Sequence, residues 1–102
     1  MAAAQMSPFG TSGFTMDQRD IDMMAETARP IYQTPPPADG TKYEWENPVT
    51  GNSGTMTLLE SREYQGLPCR KIQYSFKIKN VSTDFSFVQE RCQVASGEWK
   101  TL

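Results

Sequence analysis

Hydrophobic and polar residues alternate strictly between positions 69 and 79. The apolar members all have even numbers: Ile72, Tyr74, Phe76 and Ile78. The odd positions between them carry lysine, glutamine or serine. Such alternation is typical of a strand that buries one face and exposes the other. The pattern predicts a long strand at 69–79, and the stretch 83–94 is predicted to form its antiparallel neighbour.

A turn centred between Asn80 and Val81 fixes the register of this hairpin. It places Cys69 directly opposite Cys92. It also creates four further pairs of matching chemistry: Tyr74 with Phe87, Phe76 with Phe85, Lys71 with Glu90, and Lys77 with Asp84. A slip by one residue would set aromatic side chains against charged ones and separate the cysteines. The aromatic pairs, the charged pairs and the two cysteines therefore all select the same register.

Opposed residues in an antiparallel pair have Cα atoms about 4.5 or 5.5 Å apart, within the range that a disulfide bond accepts. We therefore predict a disulfide between Cys69 and Cys92 and an oxidising compartment. The alternative is two unpaired buried thiols in a cytosolic protein. A zinc site needs about four ligands, whereas this chain has two cysteines and no histidine. We expect neither a metal nor a cofactor.

A helix is predicted at about 16–29. Thr15 and Gln18 match a capping box, and Pro30 is expected to end the helix because the residue before a proline disfavours the α conformation. One apolar stripe has helical spacing: Ile21, Met24, Ala25 and Ala28. We expect this stripe to pack on the sheet.

The remaining segments define an α+β domain at 15–102 with an antiparallel sheet of four or five strands at 42–102. Residues 1–14 have no periodicity and are predicted to be a disordered arm. The proline-rich segment 34–40 is predicted to be a spacer between helix and sheet. Further strands are expected around Tyr43 and Trp45, at 55–64 and around Trp99, with a loop at 47–54.

Charge and composition argue against several functions. A net charge of −2 provides no basic patch, so nucleic acid is not an expected partner. No apolar run reaches the roughly 20 residues that span a bilayer. Without histidine the commonest general base is missing, and we expect no enzymatic activity. The alternative, a hydrolase that uses Glu63 or Glu90, competes with the simpler interpretation of these carboxylates as solvated strand residues.

Four sequence segments together resemble a known family. The first, 45–54, has the sequence Trp-Glu-Asn-Pro-Val-Thr-Gly-Asn-Ser-Gly, and the second is Gly-Leu-Pro-Cys-Arg at 66–70. Cys92 and the closing Gly-Glu-Trp at 97–99 follow. This pattern resembles the C-terminal domain of the rickettsial-type seventeen-kilodalton surface antigens. The segment Met-Asp-Gln-Arg-Asp at 16–20 resembles the Leu-Asp-x-x-Asp-Arg helix that precedes that domain in the family.

The resemblance implies a protein of the bacterial cell envelope, in the periplasm or at the outer-membrane surface, without an assigned biochemical activity. This sequence contains neither the lipobox cysteine nor the glycine zipper of the family, so we expect membrane association only through an N-terminal anchor that it does not carry. The family's Ala-Cys-Arg is replaced here by Arg-Cys-Gln at 91–93.

Two functional hypotheses follow. The first is a non-catalytic structural or interaction module that presents the loop 47–54 or a sheet edge to a protein or another envelope component. The second is a periplasmic binder or inhibitor of an envelope enzyme that uses the same loop. The candidate interaction residues are Trp45, Asn47, Pro48, Asn52, Arg70 and Arg91. Trp45 is expected either to form a recognition platform or to fill the core. Arg70 and Arg91 are expected to mark either the rim of the buried face or an anion site.

Overall fold

A computed structural model describes residues 16–82 and 84–102 and shows an α+β fold, as predicted. Helix α1 (Gln18–Ala28) continues into a 3-10 turn (Arg29–Tyr32). Five strands follow: β1 (Lys42–Glu46), β2 (Ser53–Tyr64), β3 (Leu67–Lys77), β4 (Phe85–Gln93) and β5 (Trp99–Lys100). They form one antiparallel sheet in which sequence order and spatial order coincide. Residues 1–15, which include the predicted arm, lie outside the described part of the chain.

The β3–β4 hairpin has the predicted register. Cys69 lies opposite Cys92, Lys71 opposite Glu90, Tyr74 opposite Phe87 and Phe76 opposite Phe85. The disulfide is formed, with Cα atoms 4.0 Å apart. The predicted pairing of Lys77 with Asp84 is wrong, because the ladder ends at Phe76 and Phe85 and Asp84 precedes β4.

The core lies between α1 and one face of the sheet, which we call the front face. Its buried members are Ala28, Ile31, Trp45, Met56, Leu58, Ile72, Tyr74, Phe76 and Ile78. The four even-numbered apolar residues of the predicted β3 stretch are all among them, so the alternation identified the buried face correctly. The helix packs mainly against β1 and to a lesser extent against β2.

Helix α1 begins later than predicted, at an N-cap formed by Asp17. The Asp17 carboxylate accepts the N–H of Arg19 at 2.8 Å, and the Asp20 carboxylate accepts the N–H of Asp17 at 2.8 Å. This reciprocal arrangement is a capping box, in which an acidic side chain also suits the positive end of the helix. The predicted box of Thr15 and Gln18 is therefore wrong, and Thr15 itself lies outside the described residues.

The helical path also ends differently. Pro30 occupies one of the first positions of the 3-10 turn, where its missing N–H costs nothing. The helix therefore continues as a 3-10 turn instead of ending at Pro30. Of the predicted apolar stripe Ala28 is buried, Ile21 and Met24 are half-buried and Ala25 is exposed. Asp20, which lies outside the predicted stripe, occupies a fully buried position of the same helix.

Strand β2 contains a register shift between Leu58 and Glu60. Leu58 pairs with Ile72 and Glu60 with Lys71, which leaves Leu59 as an extra residue in the strand. This shift places Glu60 on the back face of the sheet, away from α1. None of the described helices is long and apolar enough to cross a membrane.

Candidate functional site

The first cluster of polar residues surrounds the Asp20 carboxylate, which has no exposed surface. Asn47 Nδ2 and Thr50 Oγ1 each donate to Oδ1 at 2.8 Å. Asn52 Nδ2 donates to Oδ2 at 2.9 Å, and the N–H of Asp17 donates to the same oxygen. Both carboxylate oxygens therefore accept two hydrogen bonds. We call these residues the Asp20 lock, because they join α1 to the β1–β2 loop.

The lock holds Asp20 in its charged form. Burial by itself opposes ionisation and raises the pKa of a carboxyl group. The hydrogen bonds from Asn52, the Asp17 backbone, Thr50 and Asn47 favour the carboxylate and outweigh burial, so the pKa of Asp20 lies below its ordinary value.

The two loop asparagines are also bonded through their carbonyl oxygens. Asn47 Oδ1 accepts the N–H of Val49 at 3.0 Å, and Asn52 Oδ1 accepts the N–H of Lys79 at 2.9 Å. The loop thus connects α1, β1 and β2 with the turn that follows β3. Asn47 and Asn52, which we predicted as interaction residues, have side chains that are buried and engaged within the fold. Pro48 remains exposed.

Trp45 is buried and crosses the neighbouring strand. A Cβ atom at Gly54 would lie 2.7 Å from Trp45 Nε1 and 2.7 Å from the Ser75 carbonyl oxygen, so only glycine fits beneath the indole. The structure therefore places Trp45 in the core, the competing interpretation given for it above.

The second polar cluster is centred on Arg70, which is only 3% exposed. Its guanidinium donates to three backbone carbonyls: Ile31 at 2.9 Å, Gln33 at 3.0 Å and Cys69 at 3.1 Å. It also lies 5.0 Å from the centre of the Trp99 ring. Burial lowers the pKa of Arg70, although an arginine stays charged in proteins. We call this cluster the Arg70 clamp.

Tyr32 completes the apolar side of the Arg70 clamp. Its ring centre lies 5.0 Å from that of Trp99. Burial, followed by the nearby Tyr74 hydroxyl, raises the pKa of Tyr32 well above its ordinary value, so it is a neutral phenol at any physiological pH. The clamp fastens the 3-10 turn and β5 onto β3.

Arg91 lies opposite Arg70 on the front face but is held loosely. Its Nε donates to Gln89 Oε1 at 3.2 Å, and no carboxylate of the described residues forms an ion pair with it. Arg91 lines a cleft of about 270 Å³ between α1 and β4, together with Met24, Tyr32 and Tyr74. Of the two predicted arginines, Arg70 is structural and Arg91 is accessible from this cleft.

On the back face, the disulfide lies near a bidentate ion pair. Arg62 donates through Nε and a second guanidinium nitrogen to both carboxylate oxygens of Glu90, each at 2.7 Å. The hydrogen bond from Arg62 is the main reason that the pKa of Glu90 lies below its ordinary value. The pair is exposed, so its contribution to stability is small.

The back face also contains a larger and shallow cleft of about 580 Å³. Its polar lining includes Glu44, Glu46, Ser53, Thr55, Lys77 and Asp84. Within residues 16–82 and 84–102 there is no cluster of three or more histidine, cysteine, aspartate or glutamate side chains that could hold a metal ion.

Sequence reasoning missed Asp20, Thr50 and Arg62. A weak signal for the lock was present: Asn47, Thr50 and Asn52 supply hydrogen-bond donors within one short loop. An acceptor for them could not be assigned, because Asp17, Asp20 and Asp22 are equally acidic in the helical segment. No family model, curated protein or solved structure matches the chain.

Proposed function

We propose that the chain is a non-catalytic structural or protein-interaction module of the bacterial cell envelope. The observation that carries the proposal is the disulfide between Cys69 and Cys92, since such bonds persist in oxidising compartments and are rare in the cytosol. The surface antigen domain that the sequence resembles supplies the more specific assignment to the envelope.

The contacts of the motif residues support this assignment. Asp20 from the helical segment binds Asn47 and Thr50 from the Trp-x-Asn-Pro-x-Thr-Gly segment. Arg70 from the Gly-x-x-Cys-Arg segment lies against Trp99 from the Gly-x-Trp segment. Motif pieces that are distant in sequence thus meet in two clusters, the Asp20 lock and the Arg70 clamp. We infer that the motif specifies a fold, which is what a module without catalytic residues requires.

A sheet edge is a better interaction surface for such a module than the loop's asparagines. The side chains of Asn47 and Asn52 form hydrogen bonds to Asp20 within the fold, so they are not available to bind a partner. The edge of β4, in contrast, is accompanied by the accessible Arg91 and the exposed Val88. Extended segments commonly bind to such edges by backbone pairing.

Fractionation of the cells that make this protein tests the proposal. We expect the chain in the envelope or periplasmic fraction, with cysteines that resist alkylation until a reductant is added. The intact mass should then rise by two hydrogen atoms on reduction. Recovery from the cytoplasm with both thiols freely alkylated would contradict the proposal.

One observation favours the second candidate, a binder or inhibitor of an envelope enzyme. Val49 is 65% exposed at the tip of the β1–β2 loop, while its own N–H is fixed by Asn47. A rigid loop that displays an apolar side chain loses little entropy on binding. We expect one enzyme to be recovered in equal molar amount from envelope extract if this candidate is correct, and Val49→Asp to abolish that recovery. Unchanged recovery with Val49→Asp would contradict it.

A further inference from the structure

The outer edge of β4 is only partly covered. Strand β5 pairs with Cys92 and Gln93 and no further. Among the described residues, no strand lies beside the preceding stretch of β4, from Phe85 to Arg91. The open stretch is therefore bounded at one end by the start of β4 and at the other by β5.

The backbone groups that face outward along this stretch can be assigned. The N–H of Val94 donates to the Glu98 carbonyl at 2.8 Å, on the β5 side of the sheet. Backbone direction alternates along a strand, so the N–H and C=O groups of Glu90, Val88 and Ser86 face the same side. These three residues present a short row of donors and acceptors. Within the described residues they make no backbone hydrogen bond on that side.

The opposite edge of the sheet, β1, is protected in a way that β4 is not. Charged side chains at Lys42, Glu44 and Glu46 occupy alternate positions of β1, which is a common device against strand addition. On the back face of β4 the corresponding side chains include Val88, which is 50% exposed. The carboxylate of Glu90 is already neutralised by Arg62.

We propose that the open edge of β4 binds a second copy of this chain, strand against strand and antiparallel, about a two-fold axis through Val88. The open stretch from Phe85 to Arg91 is centred on Val88, so the two copies fit each other's opening. Strand β4 of the second copy begins at Phe85, which lies opposite Arg91 in this register. The next position of the first copy, Cys92, is where the pairing with β5 starts. The outcome is a continuous sheet across both subunits, and the inference does not depend on the proposed compartment.

The side chains are self-complementary in this register. Val88 lies against Val88 of the second copy, and Ser86 lies opposite Glu90. The three outward-facing residues pair with their counterparts and exchange about six backbone hydrogen bonds. If the second strand is displaced in one direction, Asp84 lies opposite Glu90, and the two negative charges repel each other. If it is displaced in the other direction, the second strand overlaps the residues of β4 that already pair with β5.

Two substitutions at Val88 test the proposal by sedimentation of the purified chain over a range of concentrations. Val88→Pro removes an outward N–H that the β3–β4 ladder does not use, and Val88→Lys sets two like charges together on the axis. We expect the wild type to dimerise and each variant to weaken dimerisation at least about tenfold. Val49→Ser, at an exposed valine far along the chain, is the matched control and should dimerise like the wild type.

A chemical cross-link gives an independent measurement. In Val88→Cys the two new cysteines face each other across the axis, at a separation that a disulfide accepts. We expect mild oxidation to give a covalent dimer of Val88→Cys and none of Val49→Cys. A wild type that stays monomeric, or a dimer that survives both Val88→Pro and Val88→Lys, overturns the proposal. Loss of an envelope protein's binding in Val88→Pro, with a monomeric wild type, would assign the edge to that partner instead.

Discussion

A buried carboxylate joins a helix to a loop at the end of the sheet where the chain passes from β1 to β2. A disulfide joins two neighbouring strands, β3 and β4, at the opposite end of the sheet. Asp20 reaches partners 27 to 32 positions away in other elements. Cys69 and Cys92 are 23 positions apart within one hairpin. The first connection is polar and depends on an ionised group, and the second is covalent and depends on oxidation.

The two connections depend on different solution conditions: the Asp20 lock depends on pH, and the disulfide depends on oxidation. A domain of this size buries too little apolar surface to be stable by a wide margin, so each connection contributes a large share of the free energy of unfolding. Reduction should leave the Asp20 lock intact, and acid should leave the disulfide intact.

The largest effect is expected from Asp20→Ala. It removes a charged acceptor of three side-chain hydrogen bonds and leaves the buried donors of Asn47, Thr50 and Asn52 without a partner. We expect a loss of roughly 3–5 kcal/mol in the free energy of unfolding, measured by urea denaturation. Asp22→Ala, at an exposed position of the same helix, should change it by less than about 0.5 kcal/mol. Equal effects of the two substitutions would show that the lock contributes nothing.

The disulfide should have the next largest effect. The double substitution of Cys69 and Cys92 by alanine removes a cross-link that closes a loop of 23 positions, which costs roughly 3 kcal/mol. Thermal denaturation monitored by circular dichroism measures the loss, and reduction of the wild type should reproduce it. A reduced wild type as stable as the oxidised one would contradict the assigned role.

A smaller loss is expected from Arg70→Met, which retains the apolar stem but deprives three carbonyls of their donor. We expect a loss of about 2–3 kcal/mol. The matched control is Arg91→Met, directly across the hairpin, where a single side-chain hydrogen bond is lost and the cost should stay below about 1 kcal/mol. If both variants lose the same amount, the clamp is not the connection that the structure indicates.

The smallest effect is the dependence of stability on pH. The pKa of Asp20 is lowered in the folded chain, so its stabilisation is present above the unfolded pKa of about 4 and is lost as the pH falls through the folded pKa. The slope contributed by one such group is at most about 1.4 kcal/mol per pH unit. Glu90 acts in the same direction, so wild type and Asp20→Asn must be compared. Identical acid slopes in the two proteins would contradict the lock.

The two ends also differ in how far the sequence could predict them. The register of the β3–β4 hairpin follows from alternation and one turn, both of which are local, and the disulfide followed from that register. The burial of Asp20 depends on donors from a distant loop, and no local pattern distinguishes it from Asp17 or Asp22. The capping box of α1 is formed by Asp17 and Asp20, which the sequence analysis did not single out.

Arg70 illustrates the same limit at the other end. Its position on the front face was predictable from the register, and an arginine stem at the rim of an apolar face was a reasonable interpretation. Its actual partners are carbonyl groups of Ile31 and Gln33, which the 3-10 turn after α1 exposes. That turn was not predicted, because Pro30 was expected to end the helical path rather than to tighten it.

The extra residue at Leu59 has a consequence for changes in chain length. Deleting a residue from a regular strand turns every later side chain of that strand to the other face. Deletion of Leu59 would instead remove the bulge, and Leu58 and Glu60 would keep Ile72 and Lys71 as their partners. Since position 58 is also leucine, loss of either codon yields one and the same protein. This pair is the place in β2 where a shortened gene could still encode the same sheet.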